Sequence, residues 1–128
     1  MSQHLNKNRP KNLNLFTIRL PINALVSILH RVSGMLLFLM LPLLLLGLNL
    51  SFVSEASYFR ILSWLDFWVV KVVFIGFSWA FFHHFYAGLR HLAQDVHWMH
   101  GLDQARYSSR VLMALVFVSV LIFTYLIW

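Results

Sequence analysis

Three stretches of this chain contain no Asp, Glu, Lys or Arg: residues 32–54, 72–89 and 111–128. They are 23, 18 and 18 residues long, and residues 67–71 extend the middle one to nearly the length of the first. At the rise of an α-helix these runs measure about 27 to 35 Å, enough for a hydrocarbon core of about 30 Å. The pattern therefore predicts three membrane-crossing helices, over residues 21–53, 66–95 and 107–128, in one domain covering residues 1–128. The first starts ahead of its uncharged run, because Pro21 suits a first helical turn and Ile22, Leu25, Val26 and Leu29 recur at helical spacing. Pro42 falls inside that helix, where a mild kink is expected. Gly34, Gly76 and Gly88 are expected at close approaches between helices. Residues 51–66 and 90–110 read as connecting loops. Trp64, Trp68, Trp98 and Trp128 stand near the ends of the spans, as interfacial aromatics do.

Composition agrees with the pattern and narrows it. Hydrophobic residues make up 60% of the 128, charged residues 11%, and mean hydropathy is +0.74. A soluble domain would carry about a quarter charged residues. The net charge of +6 raises nucleic acid as a partner, but the basic residues flank apolar spans instead of forming an aromatic-interleaved patch, so membrane orientation accounts for them. Lys7, Arg9, Lys11, Arg19 and Arg31 precede the first run with no acid among them. The 51–66 segment balances Arg60 against Glu55 and Asp66, whereas the 90–110 segment holds Arg90, Arg106 and Arg110 with Asp95 and Asp103. This bias predicts a cytoplasmic N-terminus and second connection, with the first connection and the C-terminus outside. A full-length span follows the N-terminal cations with no small-residue cleavage site, unlike a signal peptide. The Asn-rich start, through Asn14, reads as an extended arm. With no cysteine, the chain holds no iron–sulfur cluster, thiolate or disulfide of its own.

Ionisable groups at membrane depth need a reason to be there. His83 and His84 fall in the second span, His84 six residues before Arg90 and so about 9 Å inside. An imidazole there either hydrogen-bonds across the bundle or ligates a metal, and the residues leave both open. His84, Gly88, His91 and Asp95 form one helical stripe, with Gly88 leaving space for a flat macrocycle one turn from His84. His83 lies about 100° round the helix, in line with Arg90 and His97, and is expected to face another helix or the interface. Ser27, His30 and Arg31 make a polar corner at the start of the first helix. Arg31 either snorkels to lipid phosphates or joins Ser27 in facing a small acceptor such as a quinone carbonyl or a carboxylate. Lys71 is expected to snorkel to the outer interface. His97, His100 and Asp103 read as members of a solvated loop without a third ligand or supporting shell for a metal. If His84 holds haem iron, a bis-histidine site needs another histidine at similar depth. The third span has none, and His30 lies close to the interface, so haem binding predicts a partner subunit.

Arg9-Pro10 followed by Ser27-Ile28-Leu29-His30-Arg31-Val32-Ser33-Gly34 resembles the R-P and S-x-x-H-R-x-[ST]-G signature of the cytochrome b membrane anchor of bacterial succinate dehydrogenase. His84-Phe85-Tyr86-Ala87-Gly88-Leu89-Arg90-His91-Leu92-Ala93-Gln94-Asp95 is similar to that family's second signature, H-x-x-x-G-x-R-H-x-x-x-D. The likeness runs over essentially the whole chain. Gln94 departs from it where an aromatic or methionine is usual, and His97 where a small residue is usual.

The resemblance implies an all-α membrane protein whose three transmembrane helices form half of a heterodimeric haem-binding bundle in the bacterial inner membrane. It implies that His84 is an axial ligand of haem b and that His83 is not. Ser27 and Arg31 match positions lining a ubiquinone site, and His30, Arg31 and His91 fall near the haem propionates. The implied partners are a second three-helix anchor subunit giving the other haem ligand, an iron–sulfur subunit, a flavoprotein subunit and membrane lipid, with no nucleic acid. The activity implied is electron transfer from succinate to quinone by the assembled complex. This chain, lacking cysteines and a glycine-rich nucleotide fingerprint, cannot oxidise succinate alone. A fumarate reductase anchor, running the chemistry in reverse, and a haem-free structural anchor are the alternatives.

Overall fold

The computed structural model describes residues 18–98 and 101–128; the N-terminal arm with its Arg9-Pro10 pair, and His100, lie outside the described residues. Pro21 precedes the first helix in an extended conformation, and its carbonyl accepts the first free amides, from Ala24 at 3.0 Å and Leu25 at 3.2 Å. Helix α1, Ile22–Ser51, then runs without interruption through Pro42. The missing proline amide removes one backbone bond, which a helix in lipid tolerates when its neighbours hold it.

The segment read from the sequence as a loop contains a helix, α2, Glu55–Leu65. Ser54 caps it by accepting the Ser57 amide at 3.1 Å, and Glu55 lies where the helix dipole favours an anion. Tyr58, Ile61, Leu62 and Leu65 repeat at helical spacing, a short amphipathic signal overshadowed by the long apolar runs on either side. Helix α3, Trp68–Asp95, and helix α4, Leu102–Ile127, complete the fold. The start of α4 lies five residues ahead of the expected residue 107, because its first turns carry Asp103 and Arg106 and so fall outside the uncharged run. Among the described residues α1, α3 and α4 are the helices long and apolar enough to cross a membrane.

Helix α3 is central, packing against α1 on one side and α4 on the other. Apart from His83 and Arg90, its buried contacts are mostly small: Ser78, Ala80 and Ala87 on α3, Val26 and Ser33 on α1, Ser109 and Val116 on α4, with Leu112 the largest of them. Small side chains matter because lipid tails are as apolar as leucine, so helices associate by close van der Waals packing and hydrogen bonds. The buried serines are satisfied within their own helices, Ser33 on the His30 carbonyl at 2.9 Å, Ser78 on Ile75 at 2.7 Å and Ser109 on Ala105 at 2.8 Å. Gly34 is a close approach, whereas a methyl group added at Gly76 would meet nothing within 4 Å, so Gly76 is not a helix contact. Phe38, Leu39, Phe117 and many other apolar side chains remain exposed around the bundle, as a lipid-facing surface requires.

The end of α3 explains one departure from the family pattern. His97 has φ 63°, the left-handed region, with its amide bonded to the Gln94 carbonyl at 3.0 Å and the Trp98 amide to Ala93 at 3.0 Å. This is the helix-terminating turn in which glycine is usual, because a Cβ is disfavoured there. His97 fills that place and donates from Nδ1 to the Asp95 carbonyl at 3.2 Å. His97→Gly is expected to stabilise the protein by about 1 kcal/mol, read as a rise in the thermal midpoint in detergent; a fall would refute the assignment of strain to this residue.

Candidate functional site

The α1–α3 seam gathers the histidines. The His30 and His84 rings stack with centroids 4.3 Å apart and planes 13° from parallel, and His91 lies 5.1 Å from His30. Nδ1 of His84 donates to the His30 backbone carbonyl at 3.1 Å, an oxygen that also receives the Ser33 hydroxyl at 2.9 Å. The acceptor is a carbonyl, so the ring proton sits on Nδ1 and Nε2 keeps its lone pair. A histidine with one nitrogen tied to a backbone carbonyl and the other free has the tautomer and fixed orientation of a metal ligand. The His30 and His84 rings thus lie face to face, with neither nitrogen-bearing edge aimed at the other ring.

His83, one residue away, is spent otherwise. It is 0% exposed, donates from Nε2 to the Val26 carbonyl of α1 at 3.3 Å, and lies 5.5 Å from the Trp79 ring. Its Nδ1 is buried without a hydrogen-bond partner among the described residues. This histidine faces another helix, as its register on α3 predicts, and clamps α3 to α1.

The α3–α4 seam holds two polar links. Tyr86 and Ser119 share a hydrogen bond of 2.9 Å. Arg90, read from the sequence as a loop cation, is 8% exposed within α3 and reaches Ser108 at 3.0 Å, the Ala105 carbonyl at 3.3 Å and Gln94 at 3.3 Å. Gln94, the other departure from the family pattern, thus serves as an acceptor for a buried guanidinium. With α3 continuing to Asp95, His84 lies 11 residues, about 16 Å, from the helix end, deeper than the count from Arg90 implied. The burial of Arg90 is not legible in the sequence, because it stands at the edge of an uncharged run, where exposure is the ordinary outcome.

Ser27 is half-buried and Arg31 exposed, one turn apart on α1, and among the described residues neither makes a hydrogen bond or ion pair. At the opposite end of the bundle Lys71, expected to snorkel to the outer interface, is bonded to Asp66 at 2.7 Å. That bond and the ammonium charge hold the Asp66 carboxyl below its ordinary value. Among the described residues no group of three or more His, Cys, Asp or Glu is arranged to hold a metal ion.

Fold and site together define a multi-pass membrane protein with an imidazole cluster built into one helix seam. The family model for the succinate dehydrogenase/fumarate reductase transmembrane subunit matches residues 5–123, and the chain belongs to that family. It is 33% identical to the succinate dehydrogenase cytochrome b556 subunit of Coxiella burnetii over 126 residues, 97% of this chain and 100% of the relative. It is also 33% identical to the protein of that name from Paracoccus denitrificans, over 84% of this chain and 82% of the relative. The Rickettsia felis protein of that name is 32% identical over 73% of each chain.

The division of labour between the adjacent histidines is testable. His83→Ala is expected to destabilise the protein by about 2 kcal/mol through the cavity and the lost α1 contact. Thermal denaturation of the variant should show that loss; an unchanged midpoint would refute the clamp.

Proposed function

We infer that this chain is the cytochrome b anchor of a succinate:quinone oxidoreductase, contributing one axial histidine to a haem b and one wall to a ubiquinone-reducing site. The observation that carries the reading is the tethered His84 ring, its Nδ1 spent on the His30 carbonyl and its Nε2 uncommitted. The donor set suits a haem in a second respect, because the α1 backbone is bare at Gly34, where a Cβ would collide with the His84 ring. His84 would hold the iron from this side, and a histidine of a second three-helix anchor subunit from the other. A bis-histidine haem supplies one-electron storage and has no open position for oxygen chemistry. His30 and His91, 5.1 Å apart beside the ligand, suit the propionate vicinity with Arg31.

The same turn of α1 carries the quinone chemistry. Among the described residues Ser27 and Arg31 keep their donors uncommitted, which is what a site for an incoming carbonyl needs. The Ser27 hydroxyl donates to that oxygen, while the Arg31 guanidinium orients it and stabilises the negative charge that builds on reduction. Reduction consumes two electrons and two protons, so a site at the cytoplasmic edge has access both to the clusters of an iron–sulfur subunit and to water. A flavoprotein subunit oxidises succinate, since this chain has no residues for it. The charge bias supports a cytoplasmic N-terminus and α3–α4 connection, with α2 and the C-terminus periplasmic in a bacterial inner membrane.

Two variants of the assembled complex separate the roles. His84→Tyr is expected to abolish the b-type bands of the reduced-minus-oxidised spectrum; bands of unchanged position and intensity would sink the haem assignment. Arg31→Leu should lower succinate–quinone activity by about 10²-fold while succinate oxidation with an artificial dye is retained. Parallel loss of both activities would instead mark Arg31 as an assembly residue.

A further inference from the structure

A histidine and a glycine are exchanged across the α1–α3 seam. A Cβ built on Gly34 of α1 would lie 2.7 Å from Cε1 of His84, 3.0 Å from its Nδ1 and 3.7 Å from its Nε2. A Cβ on Gly88 of α3 would lie 3.7 Å from Nε2 of His30, ordinary van der Waals contact. The stripe on α3 singles out Gly88 as the position leaving space for a macrocycle, yet the position with no room for a methyl group is Gly34, on the other helix. The His84 ring therefore rests on bare backbone of α1.

We propose that Gly34 is a positioning residue that sets the plane and direction of the His84 imidazole. The proposal rests on the reading of His84 as a haem ligand. Three contacts confine the ring: the Gly34 backbone beside Cε1, the His30 carbonyl at 3.1 Å from Nδ1, and the His30 ring stacked at 4.3 Å. An ordinary carbon–carbon contact is about 3.5 to 4.0 Å. A methyl group at Gly34 therefore displaces Cε1 by roughly 0.8 Å or more. His84 can give that distance only by swinging Nδ1 on the His30 carbonyl or sliding across the His30 face. Either movement turns the direction in which Nε2 points and weakens the hydrogen bond that fixes the tautomer. Such hydrogen bonds set the basicity and orientation of a metal-bound imidazole. A glycine that only let the helices pack would show no dependence on what stands at residue 84.

The test uses the complete succinate:quinone oxidoreductase complex, purified with Gly34→Ala and, as a control for the helix-forming effect of alanine, Gly76→Ala, where nothing lies within 4 Å. The readouts are haem content, the low-spin paramagnetic resonance signal and the haem midpoint potential. Gly34→Ala is expected to weaken haem retention by about 10- to 100-fold and to shift the low-spin signal and potential of the haem that remains, with Gly76→Ala matching the parent. Haem content, signal and potential all equal to the parent would overturn the proposal. If Gly34→Ala lowers the amount of assembled complex, the same substitution beside His84→Ala must cost no further assembly; an undiminished further loss would also overturn it. A parent complex without b-type haem, or haem indifferent to His84→Tyr, defeats the ligand reading and this proposal with it. Haem that depends on His84 but not on Gly34 defeats this proposal alone.

Discussion

The hydrogen bond from His84 Nδ1 to the His30 carbonyl is the contact on which the α1–α3 seam depends. It joins α3 to α1 at depth, decides which nitrogen of His84 carries the proton, and brings the His30 ring into stacking register. It also draws α1 so close that position 34 has no room for a side chain. Beside it, His83 makes a second α1 contact through the Val26 carbonyl. Two adjacent histidines, about 100° apart on α3, thus reach two carbonyls one turn apart on α1. Both hold the seam, and among the described residues His84 keeps its Nε2 without a partner.

That seam depends on how polar groups are satisfied in hydrocarbon. No hydrophobic force drives helices together there, since lipid competes equally for apolar faces. The small residues at the contacts of α3, among them Ala80 and Ala87, permit close approach, and the buried serines of all three long helices bond to carbonyls of their own helices. Bonds that do cross between the long helices include the two histidine contacts toward α1, and Tyr86 and Arg90 toward α4. Arg90 carries a charge without a carboxylate partner among the described residues, spreading its donors over Ser108, Ala105 and Gln94 instead. Gln94 and His97 depart from the family pattern in the same stretch, one as an acceptor for Arg90 and the other in a left-handed turn usual for glycine.

Where sequence reading fell short, the missing quantity was a distance or a neighbour. Helix α2 is faint in the sequence although Ser54, Glu55 and the Tyr58–Ile61–Leu62–Leu65 spacing signal it, because an eleven-residue amphipathic segment is weak beside long apolar runs. The start of α4 lies ahead of the expected residue because charged residues in a first helical turn look like loop from composition alone. Gly76 and Gly34 are both glycines in apolar spans, yet one contacts nothing and the other receives an imidazole. The Asp66 partner of Lys71 follows from where the chain turns between α2 and α3, which spacing alone does not give.

Three long apolar helices, the charge bias along the chain and the histidine positions on α3 follow from the sequence itself. A bilayer imposes length and polarity conditions that each segment meets or fails alone. Helical periodicity likewise fixes which residues share a face, so His84 and His83 were separable before any contact was known. The choice of Gly34 over Gly88 as the close approach, the tautomer of His84, and the burial of Arg90 against α4 were decided only by tertiary structure. Each depends on the relative depth and rotation of two helices, which a shift of one residue along either would change and which no single segment encodes.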